Sequence, residues 1–181
     1  MVYMFLANGF EEIEALCPLD IMRRAGIDVT TVGVGGKIIV GAHGIEVSAD
    51  ITDIQFSDED LDMIVLPGGM PGTLNLADSD VCVEAIQKAA VLGRYVAAIC
   101  AAPSILGKLG LIEGKKAVCY PGFEDELKDA TVLDCGVCHD GNIITAAGMG
   151  VALEFGLKLV ELVKGKDTAD QIYVSVQAHR R

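Results

Sequence analysis

The sequence predicts an α/β protein whose doubly wound, mostly parallel sheet is sandwiched by helices and carries a small β-hairpin insertion. Short β-rich runs alternate with longer segments of helical period, which is typical of such a sheet. The run 95–99 is apolar throughout, as expected of a central strand buried on both faces. With 181 residues, the chain can bury a sizeable core, and we expect residues 1–181 to form a single domain.

The predicted strands follow in chain order. They cover residues 2–7, 28–34, 63–66, 95–99, 117–119 and 143–146. Segments 37–40 and 44–48, joined around Gly41-Ala42-His43, are typical of the inserted hairpin.

The predicted helices fill the gaps between these strands. They cover residues 12–25, 79–92, 104–109, 151–163 and 168–176. Gly26 suits the end of the first helix, and Pro18 should kink that helix or confine it to an early turn. Asp78 or Ser79 can cap the second helix, and Asp167 can cap the last.

The composition excludes several functional classes. A net charge of −12 argues against nucleic acids and anionic membranes, which require clustered Lys and Arg. No apolar run approaches the roughly 18–20 residues that cross a bilayer, and the start of the chain lacks a basic leader. The 6 cysteines then indicate a reducing compartment, so we expect a cytoplasmic protein.

Three unusual segments follow predicted strands. They are Asn8-Gly9-Phe10-Glu11-Glu12-Ile13-Glu14, Pro67-Gly68-Gly69-Met70-Pro71-Gly72 and Cys100-Ala101-Ala102-Pro103. In open α/β sheets, sites form beyond the carboxyl ends of the strands. We therefore expect these segments to converge at one edge of the sheet.

Cys100 is the candidate nucleophile because it lies at a strand-to-helix turn, as in nucleophile elbows. Alanines on both sides allow a tight turn, and Pro103 suits a first helical turn. A helix start favours negative charge, so we expect a lowered pKa for this thiol. The alternative is an inert, buried cysteine acting as a small hydrophobe.

Backbone and carboxyl groups complete the predicted site. Gly68 and Gly69 let N–H groups approach a substrate, so the amides of Gly69 and Ala101 could form an oxyanion hole. An ordinary glycine turn is the alternative. One of Glu11, Glu12 and Glu14 could face Cys100 with a raised pKa, but their spacing does not say which.

Taken together, these segments resemble the ThiJ/PfpI superfamily, specifically its DJ-one branch, the group of the parkinsonism-associated protein deglycase. The resemblance covers nearly the whole chain in order. It rests on Asn8-Gly9-Phe10-Glu11-Glu12-Ile13-Glu14, Pro18-Leu19-Asp20-Ile21-Met22-Arg23-Arg24-Ala25-Gly26, Ile64-Val65-Leu66-Pro67-Gly68-Gly69, Ala97-Ala98-Ile99-Cys100-Ala101-Ala102-Pro103 and Glu154-Phe155-Gly156-Leu157.

The resemblance implies a flavodoxin-like fold, a homodimer, and no cofactor or metal. It makes Cys100 the nucleophile, Glu14 the protonated carboxyl beside it, and Gly69 and Ala101 the backbone donors. Members of this group are described as glyoxalases that convert methylglyoxal to lactate, as deglycases that remove early glycation adducts, as chaperones, and as sensors in which the cysteine becomes a sulfinate.

The chain departs from the pattern of this group at two places. Where relatives often have a histidine near the cysteine, this chain has Tyr120, a poor base at neutral pH. Many relatives also carry a polar residue and a proline in the loop that here reads Ala147-Gly148-Met149-Gly150. Turnover could therefore be slower, or the natural substrate different.

Three other motifs are rejected. Cys135-Gly136-Val137-Cys138-His139 matches haem and redox patterns, but it precedes the turn Asp140-Gly141-Asn142, so we interpret it as part of a hairpin. The segment 148–153 resembles a dinucleotide fingerprint but lacks its third glycine or alanine. A Cys–His protease is disfavoured because His43, His139 and His179 lie outside the three segments.

The leading hypothesis is a cofactor-free enzyme acting on methylglyoxal or an early glycation adduct through Cys100 and Glu14. The alternative is a redox sensor or chaperone that uses the same thiolate, and a biosynthetic or lyase role ranks third. For the expected homodimer, the candidate contacts are in the first helix and the Met149 loop. The helix residues are Leu16, Leu19, Ile21 and Met22.

Overall fold

The computed structural model describes residues 1–178, in which a seven-stranded sheet in the order β10-β11-β7-β6-β1-β2-β5 forms the centre. The strands are β1 (Val2–Leu6), β2 (Val29–Gly33), β3 (Ile38–Val40), β4 (Glu46–Ser48), β5 (Ile51–Thr52), β6 (Met63–Leu66), β7 (Tyr95–Ile99), β8 (Lys116–Ala117), β9 (Thr131–Val132), β10 (Val137–Asp140) and β11 (Ile143–Ala146). Within the described residues, β10 runs antiparallel to β11, and the other neighbours in this sheet are parallel.

Helices cover both faces of the sheet, which confirms the predicted doubly wound α/β fold. They are α1 (Glu12–Arg24), α2 (Gly72–Ala77), α3 (Asp80–Val91), α4 (Pro103–Lys108), α5 (Ala152–Lys164) and α6 (Lys166–Ser175). One core cluster contains residues of α1, α5 and α6, and the other contains residues of α2, α3 and α4. Among residues 1–178, no helix combines the length and apolarity needed to cross a membrane.

The central strands alternate between these two cores, as the period of two along a strand requires. In β7, Ala97 and Ile99 join the cluster on the α1 side, whereas Val96 and Ala98 join the other. All four are fully buried, which explains the continuous apolar run in the sequence. Because β1, β6 and β7 are parallel neighbours, their carboxyl ends lie at one edge of the sheet.

The inserted hairpin and the hairpin that contains Cys138 agree with the predictions. β3 and β4 pair antiparallel, with Ile39 opposite Val47, and form the inserted β-hairpin. The segment around Cys138 belongs to β10, which turns through residues 141–142 into β11. The CxxCH motif is therefore part of a hairpin, as interpreted from the sequence.

The predicted strand 117–119 differs from the structure. Of these residues only Ala117 lies in a strand, β8, which pairs with β9 in a small separate sheet rather than joining the central one. After β8 the chain leaves a regular ladder because the Val118 N–H donates to the Thr145 hydroxyl at 2.9 Å. Three short elements, β5, β9 and α2, were not predicted.

Pro18 does not end the first helix, since α1 continues past this residue to Arg24. Pro18 lies at the contact with α5, where a Cβ on Gly156 would come within 2.9 Å of the Pro18 Cα. This close packing buries Leu19, Ile21 and Met22, so the prediction that they form dimer contacts is wrong. Their apolar character serves the core of this chain instead.

Of the predicted helix caps, the one at α3 is confirmed and the one at α6 is wrong. Ser79 caps α3 by accepting a hydrogen bond from the Cys82 N–H at 3.3 Å, as predicted. Asp167 does not cap α6, because the helix begins at Lys166, two residues before the predicted start, and Gly165 occupies the cap position. Asp167 lies within the first turn, where its carboxylate favours the helix dipole.

Candidate active site

The three segments predicted to converge do meet beyond the carboxyl ends of β1, β6 and β7. The Glu11 N–H donates to the Gly68 carbonyl at 2.9 Å, and the Gly72 N–H donates to the Gly9 carbonyl at 3.1 Å. Cys100, which directly follows β7, lies so close to Gly68 that a Cβ on this glycine would be 2.7 Å from the Cys100 Cβ. Backbone hydrogen bonds thus fix the relative position of the segments.

Cys100 occupies a strained turn between β7 and α4. Its φ of +66° lies in the left-handed region, which is unfavourable for a residue with a side chain. The Cys100 N–H donates to the Ala146 carbonyl at 2.8 Å, and its own carbonyl accepts from the Tyr120 N–H at 2.8 Å. These bonds hold a conformation that leaves the sulfur partly exposed, as in a nucleophile elbow.

Glu14 is the carboxyl that faces Cys100, which resolves the choice left open among the three glutamates. Its side chain projects from the first turn of α1 and is 1% exposed. One oxygen accepts the Gly68 N–H at 3.0 Å, and the carboxyl also forms a hydrogen bond with the Cys100 thiol. Burial raises the pKa of Glu14 to about 7, and the charge of Glu11 acts in the same direction.

The thiol of Cys100 does not have the lowered pKa expected from its helix start. Burial raises its pKa to about 12, and the adjacent Glu14 carboxylate also raises it, although the N–H groups of Ala101 and Gly69 act in the opposite direction. The helix start does not lower the pKa because the sulfur is largely withdrawn from water and an ionised Glu14 would lie against it. When Glu14 is protonated, its charge no longer opposes the thiolate, and its hydroxyl can donate to the sulfur.

Cys100 and Glu14 therefore form one acid–base unit. Above about pH 7 the pair carries a single proton, which either group can hold. Movement of that proton from sulfur to carboxyl gives a thiolate without an additional base. The tertiary contact at the Gly68 N–H keeps the carboxyl in position for this transfer.

The backbone amides of Gly69 and Ala101 lie at the sulfur of Cys100. Both N–H groups form hydrogen bonds with Cys100. Gly69 adopts a φ of +91°, which only glycine adopts readily. The two amides thus present partial positive charge where an anion would develop.

Gly68 provides a direct test of this packing. In Gly68→Ala, the new Cβ would lie 2.6 Å from a Glu14 carboxyl oxygen and 2.9 Å from the Ile99 carbonyl oxygen. We expect unfolding in urea to show a loss of about 2 kcal/mol, as for overpacked sites. Gly36→Ala is the control because its Cβ would meet nothing within 4 Å. Equal stability of the two variants would contradict the described contact.

A pocket of about 500 Å³ opens above the sulfur. Its lining consists of Glu11, Glu14, Cys100, Tyr120, Pro121, Ala147, Gly148, Met149, Gly150 and Val151. Four predicted site residues therefore share this pocket, whereas Gly69 and Ala101 reach the site through their N–H groups on the sulfur. Residues 148–151, the first part of the segment 148–153 that resembles a dinucleotide fingerprint, form one wall.

Tyr120 lies at the entrance of the pocket and is 51% exposed. Its ring comes within 3.2 Å of the position that a Cβ on Gly148 would take, and the same Cβ would lie 3.8 Å from a Glu14 oxygen. The absence of a side chain at Gly148 therefore leaves the space between the ring and the carboxyl open. Tyr120 therefore lies near the acid–base pair, at the open side of the pocket.

His43 was not included in the site by the sequence analysis, yet it contacts the segment that carries Glu14. Its Nδ1 lies 2.8 Å from Glu12 and 3.6 Å from Glu11, and these carboxylates raise its pKa. The inserted hairpin presents His43 to α1, a long-range contact that no local pattern indicates. His139 lies on β10, and His179 lies outside the described residues.

The polar atoms of Glu11, Glu12 and His43 lie within 4.8 Å of one another and are the candidate metal ligands among residues 1–178. Glu12 already accepts hydrogen bonds from the His43 N–H at 2.7 Å and from the His43 ring. This network ties the hairpin to the start of α1 and so supports the position of Glu14. All six cysteines, which lie in the described part of the chain, are free.

Residues 1–162 match the sequence pattern of the DJ-1/PfpI family. Protein DJ-1 homolog B of Arabidopsis thaliana is 41% identical over 170 residues, 92% of this chain and 39% of that protein, so this chain spans well under half its length. Deglycase PfpI of Pyrococcus furiosus is 32% identical over 168 residues, 91% of this chain and 100% of that protein. The structure of oxidized Toxoplasma gondii DJ-1 is similar, with a TM-score of 0.93 at 35% identity and 97% coverage of both chains.

Proposed function

Because the chain belongs to the DJ-1/PfpI family, we propose that it is a cofactor-independent enzyme of the glyoxalase III or deglycase type. Its substrate is methylglyoxal or an early glycation adduct. The observation that carries this proposal is the hydrogen-bonded pair of Cys100 and the buried Glu14, whose raised pKa of about 7 suits proton transfer at neutral pH. The similarity to a deglycase supports the same reaction class.

With methylglyoxal, the reaction begins when the Cys100 sulfur attacks the aldehyde carbon and Glu14 takes the thiol proton. The amides of Gly69 and Ala101 donate to the oxygen of the resulting hemithioacetal. Glu14 first returns the thiol proton to this oxygen. Now ionised, it moves a proton from the former aldehyde carbon to the neighbouring carbon through an enediol, which gives a lactoyl thioester. Water hydrolyses this thioester, so that methylglyoxal and water yield lactate without an external oxidant or reductant.

A redox sensor is the second candidate. The partly exposed Cys100 sulfur lies against two amide donors that would also stabilise the oxygens of a sulfinate. In this function the thiol is oxidised by peroxide, and the protein signals or binds clients without significant turnover. The similarity to the structure of an oxidized DJ-1 supports this second candidate function.

Incubation of the purified protein with methylglyoxal separates these functions. We expect lactate to form without added nucleotide and at the same rate after treatment with EDTA. Loss of activity on chelation, restored by zinc, would contradict the cofactor-free mechanism. Formation of a Cys100 sulfinate at low peroxide concentrations, in a protein that produces no lactate, would favour the sensor.

The proposal includes a homodimer, a single domain over residues 1–181 and a cytoplasmic setting suited to free thiols. Exposed apolar side chains on the hairpin and the start of α1 support a contact with a second copy. They are Ile13, Ile38, Val40 and Ile45. The hairpin and the helix start are connected through His43 and Glu12, so these side chains belong to one region of the surface.

Ile45→Glu tests the dimer contact. Ile45 is 52% exposed, so the variant should fold, but a charge in an apolar interface should weaken association by tenfold or more. Sedimentation at micromolar concentrations should show a dimer for the original protein and a larger monomer fraction for the variant. Ile54→Glu is the matched control because Ile54 is 93% exposed and lies outside this region. Equal dissociation of both variants would place the contact elsewhere.

A further inference from the structure

We infer that this pocket selects uncharged 2-oxoaldehydes with an apolar or aromatic substituent and rejects those whose substituent is anionic. This inference rests on the proposed function, because it specifies the substrate of the same site. It follows from two properties of the pocket, its apolar walls and the sign of its charged groups.

The apolar walls lie around the entrance. Tyr120, Pro121, Met149 and Val151 line the pocket, and both Tyr120 and Met149 are about half exposed. A flat aromatic group can pack against the Tyr120 ring, and the flexible thioether of Met149 adapts to its edge. These contacts bury apolar surface of the substituent while its aldehyde reaches Cys100.

The charged groups of the pocket are acidic. Glu11 and Glu14 belong to the lining, whereas no lysine, arginine or histidine does so in the part of the chain that the structure describes. The field of Glu11 reaches the reacting groups, since its charge contributes to the raised pKa of Glu14. A substrate carboxylate or phosphate would therefore meet like charge and no cationic partner.

His43 does not cancel this field. It lies closer to Glu12 than to Glu11, at 2.8 Å against 3.6 Å. Glu12 is buried and binds both the ring and the backbone N–H of His43, so a protonated His43 mainly balances this carboxylate. The two glutamates and one histidine retain a net negative charge beside the pocket.

Phenylglyoxal and 4-carboxyphenylglyoxal form a matched pair of probes, because they share the reacting carbonyl groups and differ in one distal charge. We expect kcat/KM to be at least about tenfold lower for the carboxylated compound. A repulsion of at least this size is expected between like charges a few ångströms apart near a protein surface. Glu11→Gln should reduce this ratio several-fold. Glu84→Gln, on the exposed side of α3, should leave it unchanged.

Alkylation of Cys100 tests the same selection without turnover. Iodoacetamide is neutral and iodoacetate is anionic, and their rates on the unfolded chain give the intrinsic ratio. In the folded protein we expect the ratio of neutral to anionic labelling at Cys100 to rise by about fivefold or more and to fall again in Glu11→Gln. Mass spectrometry assigns the label to Cys100.

The outcomes separate the two levels of the proposal. If no 2-oxoaldehyde is converted but alkylation is selective, the enzymatic function fails and the charge selection of the pocket stands. Turnover of both probes at equal kcat/KM, or an unchanged alkylation ratio, would overturn the charge selection while leaving the enzyme intact. A preference for methylglyoxal over phenylglyoxal in kcat/KM would overturn the role of the apolar walls.

Discussion

Replacement of Cys100 by alanine is expected to lower methylglyoxal turnover by about a thousandfold or more, because no other group in the pocket can form the hemithioacetal. Alanine fits the same turn and keeps the backbone hydrogen bonds to Ala146 and Tyr120, so the fold should persist. Lactate formation and far-UV circular dichroism measure the two effects.

Cys135→Ala is the control for this substitution. Cys135 is also partly exposed, but it lies outside the pocket lining. This variant should keep its turnover within a factor of about two, since surface substitutions away from a site change little. Full activity in Cys100→Ala, or a large loss in Cys135→Ala, would remove Cys100 from the mechanism.

Replacement of Glu14 by glutamine is expected to lower turnover by about a hundredfold or more, as for the loss of a general acid–base group. The amide can still donate a hydrogen bond to the sulfur but cannot carry a proton. Alkylation of Cys100 by iodoacetamide should therefore change by no more than about tenfold, or one pKa unit. Glu11→Gln should do much less to methylglyoxal turnover, because Glu11 borders the pair without bonding to the thiol.

The pH dependence of turnover gives a second measurement for Glu14. Its raised pKa means that the carboxyl keeps its proton up to about pH 7, and the pair then holds two protons and has no base. Activity should rise as the pH increases through about 7, when the first proton leaves. In Glu14→Gln this rise should disappear. A rise near pH 7 that persists in the variant would assign it to another group.

The fold was largely predictable because its strands carry strong local patterns. The apolar run 95–99 defined a central strand, and the small residues around Cys100 indicated the tight turn that follows it. The short strands β5 and β8 were missed or misplaced because two residues of pairing leave little pattern. Their positions depend on tertiary contacts such as that between Val118 and Thr145.

The site was predictable in its segments but not in its electrostatics. Local spacing placed three glutamates near one another, and only the packing of α1 against Gly68 shows that Glu14 faces the sulfur. The same packing explains the error in the pKa of Cys100, since burial of the thiol, together with the adjacent Glu14 carboxylate, outweighs the two amides. His43 escaped notice because the hairpin that presents it to α1 is distant in sequence.

The positive φ of Cys100 has a consequence for how this protein can change. A left-handed residue with a side chain costs about 1–2 kcal/mol relative to glycine, so the fold alone would favour glycine at this position. Cysteine is retained against that preference only while its sulfur is useful. A descendant protein that no longer used this chemistry would gain thermal stability if glycine replaced Cys100. Inactive descendants of this chain should therefore be the more stable ones.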